Sequence, residues 1–352
     1  MKILYVAYKY DYGKPELGLS SEHYNFYDTL VRMDGGKNEV IYFPIDEIRK
    51  KEGERGANEG LLKLVYKERP DLVFFTYGGM EKETVREITQ KSGAVTLILF
   101  FDDHWLFEKF SKYWGPLYRW VATTDPLAPE KYRKIGYKNA VFFPQGCNQY
   151  GYKPLDLSKI YDVTFVGRPH GIRRKIITKL EKVGIKVKCF GEGWPTGHIS
   201  QTDMIKVFSQ SKINLNFSES SGVFWKQLAS LFLYRKEDRS IHLNSPRRFI
   251  DNFKTFLPSI RSKQLKARTF EIPACRGFLL TGYTPHLEDL YGIGKEIESF
   301  HNFKELVEKI KYYLIHDEER EKIAKAGYER TLRDHTYEKR FNKIFKIMGL
   351  IK

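Results

Sequence analysis

Cysteine is scarce in this chain: Cys147, Cys189 and Cys275 stand far apart and share no paired spacing. That argues against a disulfide framework and against a cysteine-based zinc site, and it points to a reducing compartment. Long hydrophobic runs are also missing. The longest apolar stretch, Ala94 to Phe101, has eight residues, far short of the roughly 20 that a membrane-spanning helix needs. Met1 leads straight into the strand-like KILYVAY, which leaves no room for a secretory signal peptide. The expectation is a soluble cytoplasmic protein, with contact at the cytoplasmic face of a membrane left open. Acidic residues are in deficit, 44 against 60 Lys and Arg, for a net charge of +16. The excess is spread along most of the sequence, so nucleic acid, anionic membrane and phosphorylated small molecules all remain open as partners.

What is present is a repeated strand and helix rhythm. At 352 residues, with 41% hydrophobic and 15% aromatic side chains, the chain is long enough for two domains that each bury a core. Apolar runs KILYVAY, EVIYF, DLVFFTY, AVTLILFF, RWVATT and AVFFP alternate with helical patterns at Ser21 to Met33, Asn58 to Lys67 and Lys82 to Lys91. Apolar strands alternating with helices indicate a parallel sheet covered on both faces. The Pro- and Gly-rich stretch from Pro144 to Asp162 interrupts this rhythm and reads as a linker. The alternation resumes with DVTFVG, a helix from Arg173 to Lys182, IKVKCF, a helix from Thr202 to Gln210, KINLNF, GFLLTG and EIESF. The fold class is therefore α/β, with two doubly wound Rossmann-like domains facing a cleft and ligands at the carboxyl ends of strands.

One segment departs from the pattern. Between Gly222 and Arg268 lie eleven Lys or Arg against three acidic residues, a net of +8 and half the charge of the chain. The same stretch carries FWKQLASLFLY, whose apolar residues suit one face of a helix. It reads as an insertion at about 222–265, either a solvated excursion or a functional basic surface.

Three constellations could carry chemistry. In VTFVGRPHGIRRK a strand ends at Val166, Gly167 permits a tight turn and a helix begins near Arg173. The N–H groups of that helix, with the guanidinium forks of Arg168, Arg173 and Arg174, suit phosphate oxygens. The loop is neither a Walker loop nor a G-x-G-x-x-G fingerprint. In FFDDHWLFEKF, at the end of the fourth strand, two readings stand side by side. Asp103 is the N-cap of the next helix, or His104 or Asp103 contacts a substrate hydroxyl. A metal site is not expected there, because no third ligand has recognisable spacing. In KARTFEIPACRGFLL a short helix from Arg268 to Ala274 is ended by Gly277, which puts Glu271 near the edge of the second domain's cleft. A carboxylate there could accept hydrogen bonds from a ribose diol, and Arg268, one turn earlier, could meet a phosphate. Asn216, Ser218 and Glu219 sit at a neighbouring strand end.

The stretch from KARTFEIPACRGFLLTGYTPHLEDLYG through LRDHTYEKRF resembles the C-terminal half of CgeB-like glycosyltransferases, which are related to the group 1 retaining enzymes of GT-B fold. The resemblance extends through DVTFVGRPHGIRRK, FGEGWPTGHIS and KINLNFS, and more weakly through FDDHW and KYDYGKPELGLSSEHYNFY. It implies a first, acceptor-side domain at 1–150, a nucleotide-sugar-binding domain at 151–334, and a C-terminal helix at 335–352 that packs back on the first domain. Related enzymes carry two glutamates separated by seven residues. Glu271 matches the second, while Lys263 stands at the first; either Glu219 supplies that carboxylate or the site works without it.

The resemblance further implies transfer of a sugar from a nucleotide-diphosphate-sugar to a glycan, lipid-linked or protein acceptor, with retention of configuration. Arg168 and Arg173 or Arg174 match residues that neutralise the donor diphosphate, and His104 lies where related enzymes place a histidine near the transferred sugar. Arginines and a helix N-terminus can stabilise the leaving diphosphate without a metal, so no cofactor is expected beyond the donor itself. The rivals are a basic nucleic-acid-binding protein, ranked well below the enzyme, a nucleotide-sugar epimerase of the same fold, and a silent sugar-binding module. The basic insertion suggests peripheral contact with an anionic membrane.

Overall fold

In the first strand, β1 (Lys2–Ala7), alternate side chains enter different layers: Leu4 and Val6 join one apolar cluster, Ile3, Tyr5 and Ala7 another. Period-two alternation with both sets apolar buries a strand on two faces. The computed structural model describes residues 1–76, 79–218, 228–229, 231–235, 241–247, 249–250, 252–253, 263 and 265–352. By internal contacts the chain forms two units, Met1–Gly151 with His335–Lys352, and Tyr152–Asp334.

The first unit adds α1 (Asp28–Gly36), β2 (Glu39–Pro44), α2 (Ile45–Glu68), β3 (Leu72–Phe75), α3 (Lys82–Lys91), β4 (Val95–Phe100), α4 (Asp103–Leu106), β5 (Trp120–Thr123), α5 (Ala128–Lys134) and β6 (Ala140–Phe142). Its strands pair in the order β2-β1-β3-β4-β5-β6, all parallel. The order reverses between β1 and β3, the point outside which doubly wound sheets bind ligands. The helix expected from Ser21 to Met33 is a π-helical turn, His23–Tyr27, that runs into α1, whose helical path breaks at Met33 (ψ 157°).

The second unit comprises β7 (Tyr161–Val166), α6 (Arg173–Lys182), β8 (Lys188–Phe190), α7 (Gln201–Gln210), β9 (Ser211–Asn216), β10 (Leu233–Arg235), β11 (Ile241–Leu243), α8 (Arg268–Ala274), β12 (Leu279–Gly282), β13 (Glu298–Phe300), α9 (Phe303–Ile315) and α10 (Asp317–Asp334). Its main sheet, β13-β12-β9-β7-β8, is also parallel and reverses between β7 and β9. One face is apolar, with Val163, Phe165, Ile213, Leu215 and Leu280 packed under α6, α9 and α10. The other is polar yet buried. There the Thr164 hydroxyl lies 2.8 Å from Ser211 Oγ, and the Asn214 amide donates to the α7 carbonyl of Phe208 at 3.2 Å. Buried polar groups are tolerated when they are paired in this way.

The last helix, α11 (Tyr337–Ile347), belongs to the first unit. Thr336 caps it by accepting from Lys339 N. Tyr337, Phe341, Ile344 and Phe345 join the cluster around Ile3, Tyr5 and Phe74. A short parallel bridge, with Cys147 N donating to His335 O at 3.0 Å and Tyr337 N to Cys147 O at 2.8 Å, ties its start to the end of the first unit's chain. Each unit is thus a doubly wound parallel sheet, and the last helix of the chain packs on the first of them.

Three local expectations are corrected. Asp102, not Asp103, stands at the N-cap of α4, and no side-chain bond is made there. Gly277 does not turn the chain after α8: Arg276 takes the left-handed conformation (φ +54°). Gly277 serves close packing instead, since a Cβ on it would lie 2.9 Å from Asn214 Nδ2. Finally, FWKQLASLFLY is not one helix. Leu233–Arg235 is a strand paired antiparallel with Ile241–Leu243, as a run with Leu, Tyr and Ile favours once a partner strand is available; most of the remaining basic insertion lies outside the described residues.

Candidate functional site

At the carboxyl end of β7 the chain turns through Gly167 (φ +156°), where a Cβ would press on the Phe165 ring at 3.1 Å. Gly191 (φ +126°) packs on it so closely that its own Cβ would lie 3.0 Å from Gly167 O. The Trp194 indole N–H donates to Gly167 O at 2.7 Å, fixing this crossing of two turns. Helix α6 then starts behind Ile172 without a side-chain cap. An uncapped N-terminus of ten residues presents N–H groups and the positive end of the helix dipole.

The three arginines of this turn are held differently. Arg173 Nη1 donates to Arg168 O at 3.1 Å, and its guanidinium lies 5.7 Å from the Phe165 ring centroid. Arg174 Nη2 donates to Gly193 O at 2.8 Å and sits over Trp194 at 5.1 Å. Arg168 is ion-paired with Glu192. A carboxylate thus already occupies the fork of one arginine that was read as a phosphate contact.

Beside this turn, β9 pairs with β7 and ends at the second group of residues. Asn216 is buried, and its amide donates to Thr281 Oγ1 at 3.0 Å and to Thr269 Oγ1 at 3.3 Å, joining β9 and β12 to the start of α8. Ser218 is also buried and donates to Tyr283 O at 3.4 Å. Both therefore frame the site from beneath. Glu219 lies outside the described residues.

Glu271 is 1% exposed. Its Oε1 accepts from the Tyr152 hydroxyl at 2.6 Å, and its Oε2 is paired with Arg268 Nη1. Burial drives the Tyr152 pKa far up, and the carboxylate reinforces it, so the phenol stays a donor. Burial alone would lower the Arg268 pKa, but Glu271 and Tyr152 outweigh it and the guanidinium remains charged. Arg268 keeps 29% of its side chain exposed, and its Nε has no hydrogen-bond partner among the described residues. The carboxylate thus holds the cation in place, with the Nε itself buried. Tyr152 escaped the sequence reading because it lies 119 positions from Glu271 in the linker, with no local pattern to mark it.

The first unit holds the other two candidates. Asp103 is fully buried, with Oδ2 at 3.4 Å from the Tyr132 hydroxyl of α5. Burial raises its pKa, against which the hydroxyls of Ser111 and Thr123 act in part. His104 is the second residue of α4 and only half-buried, at the carboxyl end of β4. The structure therefore turns Asp103 inward and leaves His104 nearer the surface. Among the described residues no group of His, Cys, Asp and Glu side chains is arranged to hold a metal ion, and no helix is long and apolar enough to cross a membrane.

Residues 173–346 match a family described as glycosyl transferase-like. The spore protein CgeB of Bacillus subtilis (strain 168) is 26% identical over 220 residues, covering 62% of this chain and 64% of that protein. The match thus spans less than two thirds of that relative's length. Among solved structures, sucrose-phosphate synthase from Thermosynechococcus elongatus superposes with a TM-score of 0.61 at 11% identity, over 99% of this chain and 98% of its own. HepE from Anabaena, solved in complex with UDP-glucose, gives a TM-score of 0.57 at 10% identity with both chains covered in full. At such identities the likeness to these two structures concerns the fold.

Proposed function

We propose that this chain, whose residues 173–346 match a glycosyl transferase-like family and which is similar to the spore protein CgeB, moves a sugar from a nucleotide-diphosphate-sugar to a hydroxyl of a glycan, lipid-linked or protein acceptor. The observation that carries this reading is the second unit's switch point. An uncapped helix N-terminus and three arginines lie at the carboxyl end of β7, and the helix that carries the Tyr152–Glu271–Arg268 network is tied through Thr269 to Asn216 at the carboxyl end of the adjacent β9. The UDP-glucose complex of the Anabaena protein makes uridine diphosphate the first donor to try.

In the proposed reaction the bond from the anomeric carbon to the diphosphate breaks through an oxocarbenium-like state, and negative charge grows on the leaving phosphate. Arg173, Arg174 and the start of α6 meet that charge, and Arg168 joins them by exchanging Glu192 for phosphate. Arg268 meets the nucleotide through the exposed part of its side chain, and Glu271, itself buried, is its positioning residue. The acceptor hydroxyl attacks the face that the diphosphate leaves, which retains configuration, and its proton passes to the departing phosphate oxygen. His104 contacts the reacting sugar, and Asp103 anchors α4 beneath it through Tyr132. Cationic side chains perform the neutralisation that a metal ion would otherwise supply, and a reducing cytoplasm suits the three buried thiols.

The test is release of nucleoside diphosphate from a panel of nucleotide-sugars, with simple alkyl glycosides as acceptors. The anomeric configuration of the product is read by NMR, and the assay is repeated in EDTA. Turnover that survives the chelator, gives a retained linkage and falls at least a hundredfold in Arg173→Ala supports the proposal. Absence of release from every donor, with protein and lipid acceptors added, refutes it.

A further inference from the structure

Five of the exposed apolar residues of the second unit, Phe232, Leu233, Leu243, Ile250 and Phe253, fall within one short stretch of the chain. Leu233 and Leu243 are direct partners across the β10-β11 ribbon and therefore share a face, and Leu243 is 78% exposed. Asn244 N donates to Phe232 O at 2.7 Å and its amide to Leu231 O at 2.8 Å, so the ribbon is pinned beside Phe232. The Phe232 ring packs on Phe249 at 5.2 Å between centroids, and Phe249 stacks on Phe253 at 6.2 Å. Phe232, Ile250 and Phe253 are each more than half exposed, while the adjacent Leu231 is buried and anchors the group. A contiguous exposed apolar patch of this kind marks an interaction surface.

Charge selects the partner. The patch lies inside the segment that carries a net +8, and Arg247 and Lys263 are exposed within it. A second copy of this chain would bring two such fields face to face, which like-charge repulsion opposes. A nucleic acid would use flat aromatic rings but has no use for Leu243 and Ile250, whose side chains cannot stack on bases. Aliphatic and phenyl groups that enter an acyl layer, in a segment whose sequence is strongly basic, match an anionic bilayer. We propose that the β10-β11 ribbon together with Phe232, Phe249, Ile250 and Phe253 forms a docking surface for anionic lipid membranes. This surface is separate from the residues assigned to the donor, so its test and that of sugar transfer fail independently.

The experiment is co-sedimentation of the full chain with vesicles of phosphatidylcholine alone and of phosphatidylcholine mixed with phosphatidylglycerol. The wild type is expected to pellet with the mixed vesicles, not with the neutral ones, and less as salt rises. Leu243→Glu and Phe253→Glu, both at exposed positions, are expected to lower the partition coefficient at least tenfold while thermal stability and nucleotide binding are unchanged. No binding of the wild type to mixed vesicles, or equal binding of both variants, overturns the proposal. So does concentration-dependent self-association that these variants abolish without any vesicle binding.

Discussion

Replacing Glu271 with alanine should destabilise the second unit more than any exposed change would, and the structure gives the size. The substitution leaves the Arg268 cation without its counter-charge and the Tyr152 hydroxyl without its acceptor. Breaking a buried ion pair by deleting one partner costs about 3–5 kcal/mol. Because 29% of the Arg268 side chain still meets solvent, water recovers part of that loss and about 3 kcal/mol is expected. In a unit of this size each kcal/mol lowers the melting temperature by about 2–4 °C, which predicts a fall of roughly 6–12 °C. Glu271→Gln keeps an acceptor for Tyr152 and should lose about half as much, and Tyr152→Phe should cost about 2 kcal/mol through its bond to a charged group. Differential scanning calorimetry reads all three, and the combination of Tyr152→Phe with Glu271→Gln should be clearly non-additive. A Glu271→Ala protein that melts within about 1 °C of the wild type would refute the reasoning.

Three further outcomes follow from other parts of the molecule. Asp103 has a raised pKa, so above the ordinary carboxyl value the folded state holds a proton that the unfolded state has released. Stability of the first unit should therefore fall as pH rises from about 4 until the folded group ionises, and that slope should vanish in Asp103→Asn, as read by urea titrations across the range. The ion pair over the proposed phosphate site is exposed and weak, with Glu192 54% accessible. Glu192→Gln should thus tighten diphosphate binding by up to about fivefold, given the usual worth of such pairs; weaker binding in calorimetry would contradict this. Gly327 in α10 sits so near the 296 carbonyl that an added Cβ would lie 2.1 Å from Glu296 O. Gly327→Ala should lower the melting temperature strongly despite alanine's helix propensity, by about 3 kcal/mol or more; an unchanged melt would show that the helix can shift.

The fold class was legible because both units carry it in local pattern. KILYVAY, DLVFFTY and AVTLILFF are apolar on both faces, which only a doubly covered parallel sheet requires, and they became β1, β3 and β4. The limits of α6 and α8 also read correctly from the sequence. Where the reading failed, the cause was tertiary. KINLNF reads as a strand and falls on β9, but the burial of Asn214 and Asn216 was not legible, because α7 and α8 supply their hydrogen-bond acceptors. The left-handed residue after α8 is Arg276 rather than Gly277, because the glycine is consumed by contact with Asn214. Glu271 was legible as a candidate, but its burial and its phenolic partner were not, since no local spacing links positions 152 and 271. Glu192 escaped for the same reason: the ion pair with Arg168 forms only when the turns after β7 and β8 cross.

The most direct test of the central claim is calorimetric titration of the chain with UDP, GDP, dTDP and CDP, repeated with Arg173→Ala. The account predicts saturable one-to-one binding of one of these diphosphates, weakened at least tenfold by the substitution, with the melting profile of the variant otherwise preserved. If none of the four binds, while a mixed-sequence oligonucleotide does so with steep salt dependence, the arginines at the end of β7 are not a donor site and the proposal of nucleotide-sugar chemistry fails.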